Sequence, residues 1–251
     1  MVILRAELLK WKRSWVVWAA LLAAAAAPAL NGLIFWSTKR LRAAAGQVID
    51  IPWDGFFAQA ASFAHLLVYP LLFGFVVTYA VAREFQEGAA TNLFALPASR
   101  TALLLAKLGA AAVILAVPVV AAVPMAVVAG TPVIGRPPSW AELAGGLQVH
   151  LIAGLAQFLL TPLILWLATL TRGYVVPVAA AGSCVVANVV FSMAPGDRFL
   201  WWPTALPAWT AQATWLPDLF VHLPAWWVEL PPLFVVFLAL AAVTVARRDV
   251  V

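Results

Sequence analysis

Charge is what this chain has least of. Only 10% of its 251 residues are Asp, Glu, Lys or Arg, against roughly a quarter in an ordinary soluble domain, while 65% are hydrophobic. Ten acids and fifteen bases cannot coat a water-soluble core of this size, so the composition is that of an integral membrane protein in one domain. Cysteine is nearly absent: Cys184 stands alone, which excludes an internal disulfide. The three histidines, His65, His150 and His222, are scattered and do not read as a metal site. Also missing are a Gly-x-x-x-x-Gly-Lys-Ser/Thr phosphate loop, a His-Glu-x-x-His pair, a Cys-x-x-Cys pair and a Gly-x-Ser-x-Gly elbow. The basic balance, pI near 9.9, is explained first by membrane topology and not by nucleic acid.

Long apolar runs are what the chain has instead. From Trp15 to Trp36 there are 22 uncharged residues, a full bilayer crossing and longer than the roughly 7–15 residues of a secretory leader. Before it, Met1, Leu4, Leu8, Trp11 and Trp15 recur at helical spacing, with Arg5, Lys10, Lys12 and Arg13 elsewhere on the wheel. Residues 1–14 therefore read as a basic amphipathic helix lying in the membrane interface. Five further spans are expected at 59–82, 101–129, 147–170, 174–193 and 230–246, giving an all-α, polytopic fold with six transmembrane helices.

Several residues inside these runs carry specific expectations. Pro70 should distort the second span, a defect tolerable in lipid only where a neighbour satisfies the carbonyl it frees. His65 reads as a packed polar residue rather than a gate or proton carrier. Pro118 and Pro124 should bend the third span. His150, Gln157 and Thr161 recur at spacings of seven and four, on one face of the fourth span, as helix contacts or a cavity wall. Ala179 to Ser183 in the fifth are small enough for close helix approach and subunit association.

The connections differ in character. Ser37 to Asp54 is polar and Gly130 to Gly146 is turn-rich, while Thr171-Arg172-Gly173 is a tight turn. Residues 195–229 hold six of the thirteen tryptophans, interrupted by Pro203, Pro207, Pro217 and Pro224. That stretch is too broken to span and too apolar for water, so it should lie in the outer interface or re-enter protein-covered membrane before the sixth span. With the N-terminus inside, inner segments carry ten bases and four acids and outer segments five bases and six acids, which places both termini on the cytoplasmic side. Lys39, Arg40 and Arg42 dissent, falling outside.

The densest charge between two long spans lies in 83–100. Glu84 and Glu87, three apart, should share one face of a short helix, bracketed by Arg83, Arg100 and Lys107. Gly88 can end a turn, Pro97 blocks a helix arriving from upstream and Ser99 can cap a new one. Ionisable groups are otherwise lacking at depth in the spans, where each costs roughly 2.5–3.5 kcal/mol on insertion scales. Energy for any transport must then enter from outside the bilayer.

The order of basic amphipathic N-terminus, Trp-rich first span, then Glu84, Gly88, Leu93, Pro97, Ser99-Arg100 and Lys107 resembles the permease subunit of type-2 ATP-binding-cassette exporters. It is most similar to small bacterial permeases of lantibiotic or other antibiotic self-protection. Ala89 departs from the pattern, where Thr or Ser is common after the glycine. The resemblance implies two cytoplasmic ATPase subunits on separate chains, which carry the ATP and magnesium, and a second permease subunit, identical or not. It makes 83–100 a coupling segment with Arg83, Glu84, Glu87, Gly88, Pro97, Ser99 and Arg100 facing the ATPase. It draws the cargo path from spans two and five, with Phe73, Thr78, Asn188 and Phe191 as candidates. The expected location is the bacterial cytoplasmic membrane, with lipids as neighbours, no cofactor in the chain itself and no nucleic-acid partner. An ATP-independent carrier or channel and a membrane-embedded enzyme are the alternatives.

Overall fold

The structure, a computed structural model, describes residues 2–12, 14–88, 99–194 and 200–247. Among the described residues, six helical segments are long and apolar enough to cross a membrane: Trp15–Ala44, Trp53–Gln86, Arg100–Ile134, Trp140–Thr171, Val175–Ser192 and Trp226–Arg247. They are built from α1 (Val2–Trp11), α2 (Trp15–Ala44), α3 (Trp53–Phe63), α4 (Tyr69–Gln86), α5 (Arg100–Ile134), α6 (Trp140–Phe158), α7 (Thr161–Thr171), α8 (Val175–Ser192), α9 (Leu206–Ala213) and α10 (Trp226–Arg247). Below, the end of the bundle that carries α1 is called proximal and the opposite end distal.

Helix ends follow local chemistry. Ser14 and Ser99 cap α2 and α5 by accepting from the Val16 and Ala102 amides, and Ser139 with Glu142 forms a reciprocal capping box on α6. At the end of α5, Gly135 takes a left-handed φ of 88°, which spares a side chain the steric penalty there. Arg172 adopts φ 53° at the expected turn between α7 and α8.

Lipid provides no hydrophobic drive between helices, so the bundle coheres by close contact. The stripe Val16, Ala20, Ala24, Ala27, Asn31 and Gly32 buries one face of α2 against α5. At Gly74, an added Cβ would stand 2.4 Å from the Cβ of Ala181, so α4 and α8 meet at a distance only glycine permits. Toward the distal end Trp53, Phe56 and Phe57 form a fully buried aromatic cluster with Val123 and Ala126. The Trp53 indole donates to the Arg136 carbonyl at 3.2 Å.

Five of the six spans run longer than expected, and the third and fourth grow toward each other until only 135–139 connect them. Helix α2 continues past Trp36 through Lys39, Arg40 and Arg42, so the polar connection is only 45–52. The extension is held where Lys39 Nζ donates to the Val133 carbonyl at 2.7 Å and Arg40 lies over the Trp36 ring at 4.7 Å. The second span starts at Trp53 because its aromatic face is buried, and the sixth starts at Trp226. The fourth breaks between α6 and α7, just before Pro162. Pro118, Pro124 and Pro132 all lie within one continuous α5.

Pro70 produces a wider turn. Ala64–Val68 is π-helical, directly upstream of the proline, which has no N–H to offer the Leu66 carbonyl. Asn188 of α8 supplies the missing donor, its Nδ2 standing 3.2 Å from that oxygen. The same amide donates to the Thr204 carbonyl at 3.3 Å and accepts from the Trp202 indole at 3.1 Å and the Thr204 hydroxyl at 2.5 Å. Asn188 thus staples the second span, the fifth span and the Trp-rich segment at one fully buried point. That segment folds inward as a 3-10 turn (Pro203–Ala205), α9 and a second 3-10 turn (Pro217–Phe220), with α9 packed against α3 and α6. Residues 195–199, part of the expected re-entrant stretch, lie outside the described residues.

Replacing Asn188 by leucine keeps an apolar side chain of similar size but strands a carbonyl and an indole N–H. Each orphan costs about 1–3 kcal/mol. We expect the thermal unfolding midpoint in detergent to fall by roughly 4 °C or more, given about 2–4 °C per kcal/mol at this chain length. An Asn188→Leu protein as stable as the wild type would remove the staple.

Candidate functional site

At the proximal end α1 lies across α4 and α5, and four charges meet there. Lys10 Nζ stands 2.7 Å from Glu7 Oε1 and 2.6 Å from Glu84 Oε1. Lys107 Nζ stands 3.2 Å from Glu7 Oε2 and 2.5 Å from Glu84 Oε1. The four form a closed ring in which each carboxylate faces two ammonium groups and each ammonium two carboxylates. Glu7, Glu84 and Lys107 are buried, at 4%, 9% and 6% exposure, while Lys10 is exposed and closes the ring from its outer side.

Each member is placed by its helix. Glu7 follows Leu4 by three residues and precedes Trp11 by four, so the single acid of α1 sits on that helix's apolar stripe. Glu84 continues the buried stripe Phe73, Val77 and Val81 of α4. Lys107 sits two turns into α5, among Leu103, Leu104 and Leu108. Trp11, 4% exposed, packs on Tyr79 of α4 with ring centroids 5.4 Å apart, so an aromatic contact backs the ionic one. Burial alone would lower the Lys10 pKa, but its bonds to Glu7 and Glu84 outweigh that and hold it above the ordinary lysine value.

This geometry corrects one expectation. Glu84 and Glu87 do not share an exposed face: Glu84 lies on the buried side of α4, and Glu87, at its C-cap, lies on the exposed side. Glu84 points inward, while Glu87 is exposed and accepts from Arg83 Nε at 2.9 Å. The surroundings also converge on the end of α4. Gln86 Nε2 donates to the Arg172 carbonyl at 3.1 Å, and the Arg172 guanidinium lies 5.5 Å from the Phe85 ring. Gly88 takes φ 71°, Ser99 caps α5, and Arg100 Nη1 donates to the Val245 carbonyl of α10 at 3.2 Å. Pro97 and Leu93 lie outside the described residues, as does everything between 89 and 98.

The four residues expected along a cargo path divide. Phe73 is buried and lines a crevice with Gly74, Gln157 and Cys184. Phe191 is exposed and stacks on Trp202 with centroids 4.2 Å apart. Thr78 is fully buried with its hydroxyl donating to the Gly74 carbonyl at 2.7 Å, and Asn188 is consumed by its staple. These two are closed to any passing molecule in this conformation. The small residues of α8 also divide: Ala181 packs on Gly74, whereas Ala179 and Ser183 face outward.

Sequence reasoning passed over Glu7. The signal available was a lone acid on the apolar stripe of an otherwise basic helix, a position that calls for a buried cation. Among the described residues no group of three or more His, Cys, Asp and Glu could hold a metal ion. What the ring can do is mechanical: it locks α1, α4 and α5 together beside 89–98. Residues 3–188 match the family model described as ABC-2 family transporter protein. No curated protein matches the chain.

Removing one member of a buried ion pair typically costs about 3–5 kcal/mol, because the partner's charge is left uncompensated. Lys107→Met should therefore destabilise the protein in that range. Adding Glu84→Gln should recover part of the loss, with a coupling of roughly 0.5–3 kcal/mol in a double-mutant cycle. Thermal melts of the four proteins provide the check, and strictly additive effects would show that the ring does not act as a unit.

Proposed function

The chain belongs to the ABC-2 family of transporter proteins, and from that premise we propose that it is the membrane-spanning subunit of an ATP-driven exporter. Partnership with ATP-binding-cassette subunits comes with the family. In this reading two such chains bind at the proximal end, supply ATP and magnesium, and act on a permease dimer of like or unlike copies. The permease moves a hydrophobic or amphipathic cargo, of the class to which antibiotics, lantibiotic-like peptides and lipids belong, across or out of a bacterial cytoplasmic membrane. Outward Ala179 and Ser183, on a helix whose apolar window is only 17% buried, support α8 as part of the contact with the second permease.

The observation that carries the reading is the ring of Glu7, Lys10, Glu84 and Lys107. It joins the N-terminal helix to the two spans that flank 89–98, the place where a soluble ATPase would push. Half-buried Arg83 and exposed Glu87 border the same segment and supply a surface for that contact. A ligand that binds one arrangement of a two-state element more tightly shifts the whole element, and closing an ATPase pair on nucleotide is such an event. Because the ring ties three helices together, a displacement at 83–88 moves α1 and α5 along with α4. The sequence holds no phosphate loop, so hydrolysis belongs to the partner chains.

Two measurements test this. A tagged chain purified from its native membrane should bring an ATP-binding subunit with it, and the reconstituted complex should export only with hydrolysable nucleotide. Within that complex the double variant Arg83→Ala/Glu87→Ala should melt like the wild type, since an exposed i,i+4 pair is worth only about 0.3–0.5 kcal/mol. It should nevertheless lose most cargo-stimulated ATPase activity. Export by the chain alone would instead establish the carrier alternative, and unchanged stimulation in the double variant would take these two residues out of the coupling surface.

A further inference from the structure

Lys39, Arg40 and Arg42 stand at the distal end, against the charge bias that the other connections obey, and neither the ring nor the Asn188 staple employs them. Helix α2 brings two of them to the end of a groove. Ala25, Ala29, Gly32, Trp36 and Arg40 follow one another at spacings of three and four, so they share one face of α2, with Lys39 beside them. Arg42 is turned off that face and donates to Gln47 Oε1 at 2.7 Å. The face meets α5 at Gly32, where an added Cβ would stand 3.0 Å from the Ala129 carbonyl oxygen. Met125, Val128 and Val133 of α5 complete an apolar groove of about 580 Å³, within the roughly 300–1,000 Å³ of small-molecule sites. Met125 and Val128 are exposed, so the groove opens sideways toward lipid. It runs from Ala25, midway along the uncharged stretch Trp15 to Trp36, to Trp36 itself. Eleven residues at 1.5 Å each make roughly 16 Å, about half of a 30 Å hydrocarbon core. The groove is therefore one leaflet deep, the reach of a single acyl chain.

Charge at the mouth defines the head that such a chain would carry. Arg40 lies over the Trp36 ring at 4.7 Å, and Lys39 gives one of its three N–H donors to the Val133 carbonyl at 2.7 Å. A ring face and a neutral carbonyl hold these cations in place without neutralising them. Neither α2 nor α5 contains an Asp or Glu, and among the described residues no carboxylate pairs with Lys39 or Arg40. Arg136, just beyond the end of α5, is already matched by Glu142 at 2.6 Å. Two uncompensated cations at the depth of the Trp36 indole call for an anion in the headgroup zone, and the free edge of a stacked guanidinium fits phosphate oxygens. A two-fold contact between copies of this chain through the same face would gather the cations of both at one end of the interface, with no acid to meet them.

We propose that the groove between α2 and α5 is a binding site for an anionic phospholipid of the distal leaflet, one acyl chain lying along Ala25, Ala29 and Gly32 and the phosphate meeting Arg40 and Lys39. Binding requires no nucleotide and no partner chain, so it stands or falls separately from the exporter reading.

The test uses the full chain in nanodiscs of phosphatidylcholine doped with a phosphatidylglycerol that carries a photoreactive diazirine midway along one acyl chain, with labelled peptides mapped by mass spectrometry. Label should concentrate on 25–36 and 125–133. Unlabelled phosphatidylglycerol should displace it about fivefold better than phosphatidylcholine, the factor that one arginine near a charged head is worth. Arg40→Gln should cut labelling by a similar factor, and Arg42→Gln, on the same helix but off the groove face, should leave it unchanged. Ala29→Phe, which fills the groove and keeps both cations, should abolish it, with melts in the same discs confirming that the variants are folded. Glycerophosphoglycerol, the head without tails, should not compete. Label spread over all lipid-facing helices, an Arg40→Gln protein labelled like wild type, or phosphatidylcholine competing as well as phosphatidylglycerol would each overturn the proposal. So would an equal loss in Arg42→Gln, which would reveal a diffuse surface field, or displacement by the tail-free head, which would reveal a phosphate site. Val128→Cys chains that cross-link to one another while the groove takes no label would assign this face to a second copy instead.

Discussion

Four charges that cannot leave one another organise the proximal end of this molecule. Two carboxylates and the Lys107 ammonium are withdrawn from water, each at a desolvation cost of several kcal/mol that only its neighbours offset, and exposed Lys10 completes the neutralisation from the surface. The closed arrangement of Glu7, Lys10, Glu84 and Lys107 meets that condition with no net charge. Its consequence is positional. The N-terminal helix cannot slide along the bundle without exposing or orphaning a charge, so a segment with the composition of a topogenic tail is instead fixed to two spans. Trp11 on Tyr79 adds a directional contact to the same joint.

The distal half obeys the same rule for neutral groups. Hydrocarbon cannot solvate a carbonyl, so the one that Pro70 leaves without an N–H had to be met by another helix. Asn188 meets it and uses its remaining capacity on Trp202 and Thr204. One buried amide therefore repairs a helix defect and anchors the Trp-rich segment in the same act. Substituting it disturbs three elements, which accounts for a buried amide on a helix whose other polar side chains are small hydroxyls.

Much of this was legible beforehand, for identifiable reasons. Spans are set by length and apolarity, both local, so all six could be read; their ends moved where a tertiary contact such as Lys39 to the Val133 carbonyl extended a helix past its apolar run. The need for a donor at Pro70 followed from covalent chemistry alone. Its identity did not, because Asn188 lies 122 residues from Leu66. The ring was illegible for the same reason: its bonds join positions 74 and 100 apart, and Glu84 seen next to Glu87 looks like half of an exposed acidic pair. Only the packing of α1 and α5 on one side of α4 separates the buried one from the exposed one.

These two polar centres divide the second span into unlike parts. Below the π-helical turn, α4 is clamped by the ring, by the Gln86 and Phe85 contacts to Arg172, and by Gly74 on Ala181, so it can move only with α1, α5 and α8. Above it, α3 is held by the aromatic cluster of Trp53, Phe56 and Phe57 and by α9. Between them lies Ala64–Val68, where hydrogen bonding is already wider than in an α-helix. A clamped lever and a clamped anchor joined by a π-helical turn will take up displacement at the turn. That places the compliant point of the span beside the crevice of Phe73, Gly74 and Gln157, so motion imposed at the proximal end would change that space first.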